Sequence, residues 1–580
     1  MNHQNYKFLP VLLLGNLLCM MDTSIMTIIL PQLQSAFNES LSNLSWALNI
    51  YTIIFAVLII PFGRLAERIG RNKFVFGSLI IFGIGSLLSG LAPNLSWMLA
   101  ARAIQSIGAA GIIPTSMVIG LENSNQFNRN KVVAALAGIQ GLAVALGPTI
   151  GGIVTQFWGW RWVFLINLPL VLLDLVLFLW VFPLKNESTS KTSVDWLGAG
   201  LSMTILFCLS LALIQGNKWG WQSSVIISLL ISSGLLLIVF LVWEKSQKNP
   251  MIDLSLFKSR NFNGAGLALI LCNYFLGGMA VLIPTFLTKI QGESELKAAL
   301  LITPYSLAVM ISVIMTSLAV KKINNQLLIS CGLLTIALSY YLFAHLNVAA
   351  NYRQLIIADI VLGTGYGLVA ATANILAVAD FHGSKLTTSQ SVANVLRQIG
   401  MVLAIAIFTA ILTSNVQSAK QKTATYAVQQ TQSLNFSTSQ QAKLKFTIRK
   451  KLLNNQTQFK QKFKFSKIAI NQNKEQRLIN QIYYRQLQIL SVRDQLAINK
   501  LPTKLKNQLK VQVVRNVKMT TIQKEEKFQK KLGKLVRRTK VELKNQLSTA
   551  FLNVYAVMFW IALSSLLIIP LFKFNYQPKR

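Results

Sequence analysis

Apolar residues in this chain gather into long runs broken by short polar connections, the pattern of a protein threaded repeatedly through an apolar layer. A helix needs about 20 apolar residues to cross a bilayer core. Fourteen runs come close to that length: 8–31, 46–64, 74–92, 96–119, 132–155, 161–182, 196–215, 223–243, 262–287, 298–320, 326–346, 353–379, 391–414 and 549–572. The first is too long for the apolar part of a cleavable signal, and no small-residue cleavage site ends it, so it is expected to be the first span. Between the last two runs the pattern changes. Residues 415–547 are rich in Lys, Gln and Asn but keep apolar residues at helical spacing: Leu505, Leu509, Val513 and Val517, and earlier Tyr483, Leu487 and Leu490. This spacing predicts two or three long amphipathic helices, with Pro502 in the first turn of one and a turn at 435–439.

Composition agrees with an all-α polytopic membrane protein. Of 580 residues, 53% are hydrophobic and 13% charged, roughly half the charged share of a soluble domain. Cys19, Cys208, Cys272 and Cys331 lie singly inside apolar runs and are expected to be small packing residues. His3, His345 and His382 have no partner at metal-ligand spacing, so no metal site is expected. No Gly-x-x-x-x-Gly-Lys-Ser/Thr segment is present to cradle phosphates. An enzyme is therefore not indicated, no cofactor is implied, and an ion gradient is the energy source that remains.

The placement of charge orients the spans. Arg64, Arg68, Arg71 and Lys73 fill one connection, Lys245, Lys248, Lys258 and Arg260 another, and Lys321 and Lys322 a third. All fall on one side if the spans alternate, whereas 32–45 and 93–95 hold no basic residue. The basic side is expected to be cytoplasmic, with both termini inside; the tail residues Lys573, Lys579 and Arg580 agree. Alternation then puts 415–547 outside, although it carries 30 Lys and Arg against 5 Asp and Glu, a net +25 of the chain's +38. Long loops cross largely regardless of charge. This segment is either a tolerated insertion or a surface that attracts extracellular polyanions, such as wall polymers or anionic headgroups. It shows no nucleic-acid recognition motif.

Several clusters carry candidate chemistry. In residues 63–73, Gly63 and Gly70 allow a sharp turn, and Glu67 stands three residues after Arg64 and four before Arg71, beside Arg68. Such a charge cluster could latch the cytoplasmic ends of neighbouring helices in one of two states. Arg102 and Gln105 lie one turn apart within the fourth run, and a charge inside a span marks a functional site by default. The fifth run contains Gly147-Pro148-Thr-Ile-Gly151-Gly152, preceded by Gly138 and Gly141; glycines permit close helix packing and the proline bends the span. Asp22 in the first run could exchange a proton or attract a cation. Asp174 and Asp359 are further acids within runs, each a candidate cation contact or proton site.

Together these segments resemble the signatures of the major facilitator superfamily, in its fourteen-span drug:proton antiporter branch. Residues 63–73 resemble the motif between spans two and three, with Glu67 where Asp is usual. Arg102–Ala110 resembles the fourth-span motif, whose arginine supports proton transfer; Ser106 stands where glycine is usual. Residues 138–152 resemble the fifth-span motif that marks antiporters, with Ala143 for a glycine. Asp22–Pro31, Trp46, Tyr51 and Trp160–Pro169 are similar to segments of the same branch.

The resemblance implies two six-helix bundles related by duplication, spans 1–6 to 9–14, with Arg397-Gln398-Ile-Gly400 a weak echo of the fifth-span region. It divides the chain into 1–185 (first bundle), 186–245 (two extra spans), 246–414 (five spans of the second bundle), 415–547 (insertion) and 548–580 (last span and tail). It implies proton-coupled export of cationic or amphiphilic small molecules. Asp22, Arg102 and Gln105 would couple the proton, and Asp22, Trp46 and Tyr51 would face substrate; Asp174 and Asp359 belong to no motif of the family and are cavity candidates only as acids within spans. Partners would be the substrate and membrane lipids. The setting would be a bacterial cell membrane, since abundant Lys, Asn and Ile with few acids fit an AT-rich bacterial genome. Two alternatives stay open: export of one metabolite, amino acid or lipid, and a surface polyanion-binding protein acting through 415–547. Monomer and oligomer also stay open.

Overall fold

Fourteen helical stretches among the described residues are long and apolar enough to cross a membrane. The computed structural model describes residues 7–572 apart from 40, 126–128, 186, 188, 190–193, 321, 348–350, 382–383, 435, 437, 454–471 and 494–497. His3, His382, Lys321, Lys573, Lys579 and Arg580 thus lie outside the described residues.

The first part of the chain forms α1 (Phe8–Phe37), α2 (Leu41–Ile69), α3 (Arg71–Gly90), α4 (Leu95–Glu122), α5 (Arg129–Phe157), α6 (Trp160–Leu165) and α7 (Asn167–Val181), the last two making one span. Next come α8 (Trp196–Trp219) and α9 (Ser224–Ser246). The second half holds α10 (Arg260–Thr285), α11 (Glu295–Ala319), α12 (Asn325–Ala344), α13 (Arg353–Ala379) and α14 (Ser384–Ser433). After α15 (Thr438–Leu453) and α16 (Gln472–Arg493), α17 (Thr503–Ser564) supplies the final span.

Burial sorts these helices by place. In α4, 89% of the apolar window is buried, against 17% in α9. The first is therefore central and the second peripheral. Exposed Leu172, Leu173, Val176, Leu179 and Trp180 give α7 an apolar outer face, as lipid contact demands. Glycine permits the close approach of α3 to α4. A Cβ at Gly108 would fall on the backbone of Ser78 and Phe82, and one at Gly85 on the backbone of Gln105. Cys19, Cys208 and Cys272 are buried, but Cys331 is exposed on its helix and fills no core gap.

The apolar core differs between the two ends of the bundles. Near the 63–73 cluster, one buried cluster joins Leu12, Ile60, Val75 and Ile112 of the first half to Ile375, Val378, Leu386 and Val395 of the second. At the opposite end, the cluster around Ile25, Leu33, Ala47, Met98 and Phe164 belongs to the first half alone. The two halves are therefore closed together at the basic end.

Contacts divide the chain into one unit of Met1–Asn415 with Ala550–Arg580 and a second of Val416–Thr549. Helices do not end where the apolar runs end. α14 is 50 residues long and α17 is 62, each continuing beyond its apolar window. No Pro or Gly interrupts α14 after Gly400, so backbone hydrogen bonding carries on when hydrophobicity stops. Helix α17 starts at Thr503, one residue after Pro502. Within the second unit, α14, α15 and α17 share an apolar seam of Ala424, Ala427, Leu444, Ile448, Leu532 and Leu535. Further along, α16 packs on α17 through Ile479, Val513 and Val517. Lys443, Arg449, Lys504 and Lys510 are exposed, as is Leu505.

Candidate functional site

The predicted proton-coupling residues meet in a buried ionic centre between α1 and α4. The Asp22 carboxylate is paired with the Arg102 guanidinium and also accepts from Gln105 Nε2 at 2.9 Å. Arg102 donates to Gln105 Oε1 at 2.7 Å and through Nε to the Ala47 carbonyl at 3.3 Å, while Nη2 has no partner. Its guanidinium lies 4.4 Å from the centroid of the Tyr51 ring, a cation–π contact. Gln105 is tied onward to Ser86 at 3.3 Å, which holds Asn167 at 3.0 Å and the Phe164 carbonyl at 2.9 Å. Arg102 and Gln105 are wholly buried and Asp22 nearly so. The arginine therefore does not reach to an interface; it is matched by an opposite charge in place, as a buried ion requires. Ser106, in the usual glycine position, keeps the packing by donating to the Tyr51 carbonyl at 2.6 Å.

The other candidates, Tyr51 excepted, lie apart. Tyr51 belongs to this centre, with its hydroxyl bonded to the Cys19 carbonyl at 3.2 Å. Trp46 is half-buried on α2. Asp174 on α7 is buried against α1, its Oδ2 3.1 Å from where a Cβ of Gly15 would stand, and neither oxygen has a partner. Asp359 is buried on α13 in the second half, likewise unpartnered.

The glycines of α5 point two ways. A Cβ at Gly147 would collide with Ser24 and Met21 of α1, and one at Gly151 would reach Ile25 at 2.8 Å. On the other side, Gly138, Gly141 and Gly152 would meet Val313, Val309 and Leu296 of α11 at 3.6, 2.7 and 3.5 Å. Pro148 lies within the helix. The hydroxyls of Thr149 and Thr303 join α5 to α11 at 3.0 Å. One glycine face thus seats α5 on the helix that carries Asp22, and the other seats it on the second half.

The 63–73 segment is helical on both sides of a one-residue break. Gly70 has φ 109°, which only glycine takes without strain. Glu67 is buried and pairs with Arg64 at 3.1 Å and Arg71 at 3.4 Å. Arg71 also grips Glu122 with both carboxylate oxygens, at 2.7 and 2.8 Å, and donates to Thr387 of α14 at 2.9 Å. Arg64 bonds the carbonyls of Pro250 at 2.6 Å and Met251 at 3.3 Å. Gly63 leaves room for Ser391 of α14. Arg68 is exposed and takes no part. Glu187, which no motif marked, caps α3 by accepting from the amides of Asn72 and Lys73, both at 3.1 Å.

A second polar network, marked in the sequence only by the weak fifth-span echo at Arg397, crosses between the halves. Asn16 Oδ1 accepts from Gln140 Nε2 at 2.8 Å, Gln140 Oε1 accepts from Arg397 Nη1 at 3.1 Å, and Arg397 Nη2 donates to Asn374 Oδ1. Only the arginine within an apolar run could have signalled it. No group of three or more His, Cys, Asp or Glu able to hold a metal occurs among the described residues.

Comparison with known proteins bears on this arrangement. Residues 12–197 and 196–405 match the family model described as Major Facilitator Superfamily. The methylenomycin A resistance protein of Bacillus subtilis is 30% identical over 404 residues, covering 69% of this chain and 86% of that protein. Multidrug resistance protein 3 of the same organism is 27% identical over 404 residues, covering 70% and 78%. Among solved structures, the human organic anion transporter MFSD10 (TETRAN) aligns with a TM-score of 0.50 over 71% of this chain and 97% of that one. At 14% identity it is similar in fold alone.

Proposed function

This chain belongs to the major facilitator superfamily, and from that premise we propose that it is a proton-coupled antiporter exporting cationic or amphiphilic small molecules, of the multidrug efflux kind. The observation that carries the reading is the buried Asp22–Arg102–Gln105 centre. It is a charge pair shut away from water, on the helix against which α5 rests its glycines.

A proton on Asp22 cancels the carboxylate and leaves Arg102 with neutral acceptors only, so the contact between α1 and α4 loses most of its strength. A shift of α1 acts directly on Gly147 and Gly151. Through the opposite face of α5 it reaches α11 and the second half. Protons arriving from outside would thus drive the halves between two states, with substrate held between them. The closed basic end, latched by Glu67, Arg71 and Thr387, would be the cytoplasmic gate in its shut state. In this orientation both termini are cytoplasmic, the membrane is the bacterial cell membrane, and Val416–Thr549 lies outside. Its net positive helical surface would contact extracellular polyanions. A relative named for resistance to methylenomycin A leaves export of one metabolite as the second reading.

The test is proton-driven uptake of a cationic dye into inverted vesicles. Wild type accumulates the dye when the interior is acid, and Asp22→Asn does not. Gradient-dependent uptake unchanged in Asp22→Asn would remove Asp22 from the coupling.

A further inference from the structure

Arg397 is a cation in the middle of a span, and no acid among the described residues pairs with it. Its guanidinium meets two amide oxygens, those of Gln140 and Asn374, while its Nε is buried without a partner. None of the ion pairs formed by the described residues includes it. Asp22, the acid that could answer a charge in the first half, is committed to Arg102. Amide oxygens solvate a guanidinium but do not cancel its charge, and arginine cannot shed its proton. An uncompensated charge at that depth is costly and marks function.

The surroundings are shaped for a polar group. Helices from both halves contribute: Asn16 from α1, Gln140 from α5, Asn374 from α13 and Arg397 from α14. The amide hydrogens of Asn16, Asn374 and Asn394 are directed to backbone carbonyls of their own helices, at 2.8, 2.7 and 3.0 Å. That fixes the side chains and leaves the oxygens of Asn16 and Asn374 facing donors in the network. On α14, Gln390, Asn394 and Arg397 are four and then three residues apart, hence on one face. Gln390 is fully buried, and both of its amide atoms lack partners. Towards the basic end, the same helix gives Thr387, three residues before Gln390, to Arg71, and Ser391 lies against Gly63. A polar strip thus leads from the latched end to a lone guanidinium at the contact between the halves.

We propose that Arg397, framed by Gln140 and Asn374, is a substrate subsite for a carboxylate, so that the transported amphiphiles include those bearing an organic acid group. The free Nε and the neighbouring Nη2 form the side-on edge of the guanidinium, which takes a carboxylate with two parallel hydrogen bonds. Asn374 then yields Nη2 to the ligand. The subsite rests on the exporter reading and narrows its substrate class.

The experiment uses the full-length protein in nanodiscs, with a dansylated fatty acid as the carboxylate probe and ethidium as the cationic one. Equilibrium binding is read by fluorescence, without a proton gradient. Arg397→Gln is expected to raise the Kd of the carboxylate probe on the order of tenfold or more. Arg397→Lys should fall between it and wild type, and ethidium should stay within about twofold, since only the charge-assisted bonds are lost. Thermal unfolding establishes that each variant is folded. Three results overturn the subsite: wild type fails to bind the carboxylate, Arg397→Gln binds it as tightly as wild type, or both probes weaken equally in both folded variants. Arg397-dependent carboxylate binding without proton-driven uptake of either probe supports the subsite and rejects the exporter reading instead.

Discussion

Replacing Asp22 by Asn keeps the shape of the side chain and removes one charge from the pair with Arg102. Arg102 then sits wholly buried among Gln105 Oε1, the Ala47 carbonyl and a neutral amide. Leaving one member of a buried pair uncompensated costs about 3–5 kcal/mol. Arg102→Met is expected to cost less, because a lone carboxylate can neutralise itself by taking a proton and a guanidinium cannot. The double variant leaves no charge, so its cost falls to the lost hydrogen bonds, about 1–2 kcal/mol. The double-mutant cycle is therefore strongly non-additive. Unfolding of the reconstituted protein measures the cycle. Transport divides it further: Asp22→Asn should lose proton-driven uptake but retain substrate exchange down a concentration gradient, which moves no net proton. Additive costs would refute the pairing argument, and loss of exchange along with uptake would refute the coupling role.

Other sites give independent tests. Glu67→Gln removes two ion pairs at the closed end. It should bias opening there by about 1–3 kcal/mol, read as faster thiol labelling of Ser391→Cys. Gly141→Leu forces a side chain against Val309, 2.7 Å from the Cβ position; transport should fall at least tenfold, whereas Gly200→Leu, with nothing within 4 Å, should leave it unchanged. The Asn415 amide donates to the Ala550 carbonyl at 3.1 Å, so a short Gly/Ser linker in place of 416–549 should preserve dye transport. The same deletion should abolish salt-sensitive binding to an immobilised polyanion. Failure of transport in the folded deletion variant would make that unit part of the transport path.

The number of membrane helices was legible because the length of an apolar run is set by the bilayer, not by neighbours. The Arg64–Glu67–Arg71 pairs were legible for a similar reason, since three- and four-residue spacing places side chains together on any helix. What escaped depends on tertiary packing. Glu122 and Thr387 reach Arg71 from 51 and 316 residues away. Gln140 reaches Arg397 across 257. No local period encodes such meetings. Asp22 and Arg102 are 80 residues apart, and only family resemblance put them in one mechanism before the geometry did. The true ends of α14 and α17 were missed because hydropathy marks where the membrane segment stops, whereas a helix stops at a Gly, a Pro or a cap.

The two arginines within the spans, Arg102 fully buried and Arg397 partly so, pose opposite problems to the protein. Arg102 has its counter-charge within the first half, so a proton can switch that pair without any ligand. Arg397 has none among the described residues, so on the proposed reading a ligand brought in from outside would neutralise it. Helix α1 touches both: Asp22 belongs to the first centre and Asn16, less than two turns away, to the second through Gln140. On the proposed mechanism, a proton that loosened α1 at Asp22 would also displace the Asn16 oxygen that orients Gln140 towards Arg397. Protonation and release of an acidic substrate would then be linked through one rigid helix. In that case the two equilibria must be reciprocal: a carboxylate bound at Arg397 should disfavour the proton at Asp22 by the same factor by which the proton weakens its binding.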